Sequence, residues 1–151
     1  MFKHILIPTD GSQLSNEAIA AGVEFAKIVG AKVTGFFAAP APTPVVYQNF
    51  IPVAYLPPEE HAAMIEKAAQ QYLSVLEDAA RRAGVECELD HATNDFPAEA
   101  IIDVAKRKKC DLIFMASHGR RGRRGVLLGS VTREVLTHAT IPVLIFRTGA
   151  A

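Results

Sequence analysis

The run Ile5-Leu6-Ile7, cut short by Pro8-Thr9-Asp10-Gly11, limits the folds open to this chain more than any other feature. Three consecutive apolar residues with no polar alternation predict a strand buried on both faces, and the residues after it predict a turn. Ser12 or Ser15 is then placed to cap a helix. Its apolar stripe is Ile19, Val23 and Ala26 or Val29, at spacings of three to four, and Gly30 stands where such a helix stops. Lys32-Val33-Thr34-Gly35-Phe36-Phe37-Ala38 reads as a second strand. Strand, helix and strand within about 38 residues is the size of a βαβ unit.

The same alternation continues. Pro57-Pro58 followed by Glu59-Glu60 predicts a helix start with acid in its first turn. Ala62, Ile65, Ala69, Leu73, Leu76 and Ala80 form one face of that helix, and Gly84 stops it. From Val85 to Asp90 apolar and acidic residues alternate, which predicts a half-exposed edge strand. Asp95-Phe96-Pro97 opens a helix with Ile101, Ile102, Val104 and Ala105 inside, closed by Lys106-Arg107-Lys108-Lys109. Asp111 to Ala116 is a strongly apolar, central strand. After a Gly/Arg loop, Ser130 is expected to cap a short helix to about Ala139. Pro142-Val143-Leu144-Ile145-Phe146 is the last strand. Five mainly parallel strands with four crossover helices predict an α/β fold, a three-layer doubly wound sandwich. At 151 residues the chain is expected to form a single domain, 1–151.

Residues 40 to 58 stand apart, with six of the nine prolines and no charged residue. Nineteen residues is long for a loop in a compact domain. Val45, Val46, Tyr47, Phe50, Ile51, Val53, Tyr55 and Leu56 make it apolar, so it is expected to pack against its own domain, a ligand or a partner.

Composition excludes several classes. Half of the residues are hydrophobic and 21% are charged, which rules out wholesale disorder. Sixteen basic and sixteen acidic residues cancel, which argues against a nucleic-acid binder that is basic overall. The charge is uneven, however: residues 106 to 124 hold eight basic residues and one acidic residue. Cys87 and Cys110 make no disulfide framework. His4, His61, His91 and His138 have no metal-ligand spacing, so no metal site built by protein alone is expected. No run of eighteen apolar residues exists to span a membrane, and the N-terminal apolar run is too short for a secretory signal. The expected compartment is the cytoplasm.

In an open parallel sheet, ligands bind at the carboxyl ends of strands, at the point where the strand order reverses. That nominates Pro8-Thr9-Asp10-Gly11, Ala38-Ala39 and Ala116-Ser117-His118-Gly119. The loop from 116 to 130 holds Gly119, Gly122, Gly125 and Gly129 with Arg120, Arg121, Arg123 and Arg124, and ends in Gly129-Ser130 at a helix start. Glycines let backbone N–H groups turn toward an anion, the helix start adds unpaired N–H groups, and arginines add bidentate donors. All three favour phosphate; the alternative is an exposed Gly/Arg surface loop with Ser130 as an ordinary cap. The P-loop spacing and the dinucleotide Gly-x-Gly-x-x-Gly are both absent.

Together these segments resemble the universal stress protein family. Ile5-Leu6-Ile7-Pro8-Thr9-Asp10-Gly11-Ser12 is similar to the family's opening. Ala116-Ser117-His118-Gly119, nine residues, and Gly129-Ser130-Val131-Thr132 resemble its nucleotide signature, Gly-x2-Gly-x9-Gly-Ser/Thr, with Ala116 in place of the first glycine. Ile141 to Ile145 resembles its closing strand. The resemblance implies sheet order 3-2-1-4-5 and a homodimer paired through the last strand, 142–147. It implies ATP, with AMP or ADP as alternatives; any Mg2+ would come with the nucleotide, because magnesium is commonly held by phosphates and few protein groups. Asp10, with Pro8 and Thr9, would then sit by adenosine, Ala38 by adenine and Ala116 by the ribose. Gly119, Arg120, Gly129, Ser130 and Val131 would hold the phosphates, with Ser117, His118 and Thr132 in the same signature.

No catalytic set is visible, so a binding protein in stress signalling is expected rather than an enzyme. Two other readings stay open: the same fold used as a protein-interaction module without nucleotide, and a weak ATPase.

Overall fold

The computed structural model describes residues 1–41, 45–119 and 127–148, with the backbone alone at 45–47 and 52–55. The elements in chain order are β1 (His4–Pro8), α1 (Gln13–Val29), β2 (Lys32–Ala39), β3 (Val45–Gln48), β4 (Ile51–Tyr55), α2 (Pro58–Ala83), β5 (Cys87–Thr93), α3 (Pro97–Arg107), β6 (Leu112–Ala116), α4 (Ser130–His138) and β7 (Val143–Phe146). Five strands form one sheet in the order β5-β2-β1-β6-β7. Every pairing in it is parallel. In chain order of those five strands this is 3-2-1-4-5, as the family resemblance implies.

β1 is buried throughout because helices cover both faces. Side chains alternate along a strand, and here the alternation sorts two cores. Ile5 and Ile7 pack with Ile19, Val23, Leu76, Leu112 and Phe114 on the face covered by α1 and α2. Leu6 packs with Phe36, Ile101, Val104, Ile113, Met115 and Val135 on the face covered by α3 and α4. An apolar triplet without alternation is therefore what a central strand requires. β5 alternates, is half-buried and lies at one edge, as predicted.

The helix ends follow local chemistry. Ser12 caps α1 by accepting from the Ser15 backbone N–H at 3.2 Å. Gly30 and Gly84 end α1 and α2 in the left-handed conformation. α3 ends differently. Lys109 adopts φ 57°, with its N–H on Lys106 O at 3.1 Å and the Cys110 N–H on Ala105 O at 2.8 Å. That is a Schellman ending in which lysine holds the place glycine normally fills. A Cβ in this conformation is unfavourable, so Lys109→Gly should stabilise the fold by about 1 kcal/mol, read as a raised denaturation midpoint.

Two expectations are corrected. Residues 40 to 58 are not all loop: β3 and β4 form an antiparallel hairpin, turned at Asn49 and Phe50 with φ 50° and 63°. Ser130 does not cap α4; it is the first helical residue, and Gly129 is the cap.

His4, the first residue of β1, is 5% exposed, with Nε2 2.7 Å from Thr34 Oγ1. Burial, and then the charge of Lys32, hold its pKa below the ordinary 6.5. The unfolded chain therefore takes up the proton first as pH falls. The contribution of His4 to stability is fully present above its ordinary 6.5 and is lost as pH falls from there toward the lower folded value. His4→Gln should flatten this part of the profile, checked by denaturant midpoints at about pH 7.5 and pH 5.5.

Candidate functional site

From β1 the chain crosses through α1 to β2 on one side; on the other side β1 lies against β6. The strand order reverses between β1 and β6, and in sheets of this kind the crevice outside the carboxyl ends at that point is where ligands bind. The first wall is the turn after β1. The Thr9 N–H donates to Phe36 O at 2.8 Å, anchoring the turn to β2. Gly11, at φ 79°, reverses the chain. Asp10 Oδ1 accepts from the Ser12 N–H at 3.0 Å. The Ser15 hydroxyl donates to Thr9 Oγ1 at 2.9 Å and accepts from the Asp10 N–H at 3.3 Å. Asp10 is thus oriented by the first turn of α1 before any ligand arrives. The Tyr72 ring of α2 lies on Gly11 so closely that any side chain there would strike it. Tyr72 is itself held edge-on against Phe37, with centroids 5.2 Å apart.

The second wall is the end of β6. The Ser117 N–H donates to Phe146 O at 2.9 Å, tying this point to β7. The Gly129 N–H donates to Ser117 O at 2.8 Å, which closes the base of the loop and brings α4 beside β6. A Cβ on Gly129 would lie 3.1 Å from the Cα and Cβ of His118. A Cβ on Gly119 would fall inside contact distance of Asp10 Oδ2. The chain therefore passes close at both glycines, tightly against His118 at Gly129 and against the movable Asp10 carboxylate at Gly119, and the second contact places Asp10 against the β6 loop. Arg120, and the rest of the arginine run, lie outside the described residues.

α4 begins at this same place, and its cap residue has no side chain to satisfy the first-turn N–H groups. Those of Ser130, Val131 and Thr132 have no acceptor within the helix. An oxyanion in front of them would complete their hydrogen bonding and meet the positive end of the helix dipole. The remaining signature residues are internal. Thr132 is 2% exposed and its hydroxyl donates to Ala116 O at 3.0 Å, fixing α4 to β6. Ser117 is buried, with Oγ 3.2 Å from His118 Nδ1. The Ala116 methyl belongs to the core on the α1–α2 face, with Ile7 and Phe114. Pro8 and Thr9 are buried, and Ala38 is half-buried on β2 beside the Leu6–Phe36 core.

Sequence reasoning missed Tyr72 as the residue behind Gly11. It stands among apolar residues on a long amphipathic helix, with no local signal of what it faces. Among the described residues no three His, Cys, Asp or Glu side chains cluster as metal ligands. No helix there is long and apolar enough to cross a membrane. Burial raises the pKa of both free thiols, Cys87 and Cys110, to about 11, so neither is a thiolate nucleophile at neutral pH.

A model of the universal stress protein family matches residues 1–147. This chain belongs to the universal stress protein family. It is 30% identical over 151 residues to universal stress protein MJ0531 of Methanocaldococcus jannaschii, covering 97% of this chain and 83% of that one. It is 31% identical over 150 residues to universal stress protein YxiE of Bacillus subtilis, covering 97% and 100%. Among solved structures, MJ0577 of M. jannaschii superposes with a TM-score of 0.82 at 23% identity, over 100% of this chain and 99% of the other. Others with this fold are a universal stress protein in complex with cAMP (TM-score 0.67, 25% identity, 98% of each chain) and one from Archaeoglobus fulgidus in complex with dAMP (0.65, 19%, 97% and 98%). A family member from Arabidopsis thaliana has AMP bound (0.67, 19%, 98% and 93%).

Proposed function

We propose that this universal stress protein binds an adenine nucleotide in the β1–β6 crevice and acts as a nucleotide-dependent stress-response protein, not as an enzyme. ATP is the ligand proposed first, with AMP and ADP as alternatives. The observation that carries the reading is the uncapped start of α4, held by Gly129 beside the Asp10–Gly119 contact. In this reading Pro8, Thr9 and Asp10 border the adenosine, Ala38 lines the adenine through its backbone and Ala116 lies near the ribose. The N–H groups of Gly119, Ser130 and Val131 receive phosphate, with Arg120 adding charge and Gly129 keeping the approach open. Ser117, His118 and Thr132 shape the loop that does this. Universal stress proteins of this fold in complex with cAMP, dAMP and AMP support an adenine ligand. Mg2+ would ride on the phosphates, because the described residues supply no ligand cluster of their own.

The chain 1–151 acts in this reading as one domain, in the cytoplasm, where Cys87 and Cys110 remain free thiols. The outer side of β7 is an open sheet edge, and pairing with a second copy through residues 142–147 would satisfy it. A strictly monomeric solution mass at high concentration would contradict that pairing. The test of the ligand is to purify the protein without nucleotide, denature it and identify what is released by chromatography and mass spectrometry. The expected result is an adenine nucleotide near one per subunit, or saturable ATP or AMP binding in a calorimetric titration with and without Mg2+. No binding at millimolar nucleotide would overturn the assignment. It would favour the interaction-module reading, which rests on the hairpin tip, where Phe50 is fully exposed and Ile51 is 64% exposed.

A further inference from the structure

The four consecutive basic residues that end α3 divide into two pairs. Arg107 Nη2 donates to Asp90 Oδ2 at 2.9 Å, and Lys108 Nζ donates to Glu88 Oε2 at 3.2 Å. Both therefore spend their charge on β5, and the Lys108 hydrogen bond holds the Glu88 carboxyl below its ordinary pKa. Lys106 and Lys109 have no carboxylate partner among the described residues. They line a cavity of about 260 Å3, whose other walls include Ile102, Cys110, Ile113, Thr140 and Ile141. Ile113 and Cys110 stand at the amino end of β6, so this cavity is at the opposite end of the sheet from the Asp10–Gly119 crevice.

Three features set what the cavity can hold. Its floor is aliphatic, and Cys110, whose thiol burial raises to about 11, is a neutral part of that wall. Its rim carries two cations with no carboxylate partner among the described residues. One of them, Lys109, occupies the left-handed helix-ending position where glycine would be less strained, so its side chain can be removed there without disturbing the backbone. A volume of about 260 Å3 holds on the order of nine water-sized groups.

We propose that this cavity is a second ligand site, for a short amphipathic anion: an aliphatic chain of about six carbons over Ile102, Ile113 and Ile141, with an acidic head between Lys106 and Lys109. The acidic head can be a carboxylate or a phosphate monoester. The site is independent of nucleotide binding at the crevice.

Hexanoate is the probe, followed by the backbone amide resonances of the full chain. Saturable binding is expected on the order of 0.1–1 mM, with shifts centred on Lys109, Cys110, Ile113 and Ile141 and undiminished by excess AMP. Hexanol and inorganic phosphate should each bind at least tenfold more weakly, because each supplies only one half of the recognition. Lys109→Gly relieves strain, so it keeps the fold; combined with Lys106→Gln it should weaken hexanoate at least tenfold. Hexyl phosphate distinguishes the two heads: tighter binding than hexanoate selects the phosphate monoester, weaker binding the carboxylate. Absence of saturation, displacement by AMP, equal affinity for hexanol, or affinity unchanged in the double variant would each overturn the proposal.

Discussion

Gly129→Asp is expected to lower nucleotide affinity at least a hundredfold while leaving the protein folded. The backbone at this position, φ −69° and ψ 164°, is one any residue adopts, so the substitution brings no conformational strain. What it brings is a carboxylate at the start of α4. Aspartate is among the best helix caps, and its oxygen would accept from the same first-turn N–H groups that a phosphate needs. It would also set a negative charge where the phosphate must come. Two or more charge-assisted hydrogen bonds at about 1.5–3 kcal/mol each would be lost, and 2.7 kcal/mol corresponds to roughly a hundredfold. Against this, the new Cβ lies 3.1 Å from His118, so the cap gains less than the usual ~1 kcal/mol. Thermal denaturation should show stability near that of the parent chain, and titration with ATP and AMP should show no saturation. Retained affinity would refute the assignment of α4 as the phosphate site. Gly119→Ala makes a complementary probe, because its methyl group must displace the Asp10 carboxylate.

The largest loss of stability is expected from Phe36→Ala. Phe36 is 1% exposed, in the middle of β2, and packs in the core with Leu6, Ile113 and Met115. Removing a buried ring loses its transfer free energy and leaves a cavity, together about 3–5 kcal/mol. Domains of this size are stable by only about 5–15 kcal/mol, so the variant should be near the limit of folding. Denaturant titration should show a much lower midpoint at an unchanged slope. The effect should reach the crevice as well, since the turn at Thr9 hangs on Phe36 O. A loss below about 1 kcal/mol would mean that the β2 core is not packed as described.

The frame of the fold was legible because each element carries its own signal. Ile5-Leu6-Ile7 has no polar alternation because β1 has no solvent face, and Val85 to Asp90 alternates because β5 is an edge. Gly30, Gly84 and the basic end of α3 are stop signals that act within one turn. The hairpin at 45–55 was not legible. Pro52 sits inside a strand, the run has no clean alternation, and its turn is Asn49-Phe50 rather than a pair containing glycine. The start of α4 differs from the sequence expectation by one residue, since Gly129 and not Ser130 is the cap. Serine is the commoner cap, but only the course of the chain past Ser117 decides which residue stands outside the helix.

The candidate site divides in the same way. Its members could be named in advance, because turns after parallel strands and a glycine-rich loop before a helix are local patterns with a physical purpose. Their mutual arrangement could not. Asp10 meets Gly119 only because β1 and β6 are neighbours in the sheet, though far apart in the chain. Ala116, the one departure from the signature, is accommodated because the pleat turns its methyl into the core with Ile7 and Phe114. The division of the basic run into Arg107 and Lys108, paired with β5, and Lys106 and Lys109, without a carboxylate partner among the described residues, depends on where β5 lies relative to α3. Periodicity, caps and turns are properties of a few adjacent residues, and the sequence alone determined them. Which side chains face one another, and which charges remain without a partner, depends on contacts between distant segments, and only the tertiary structure decided those.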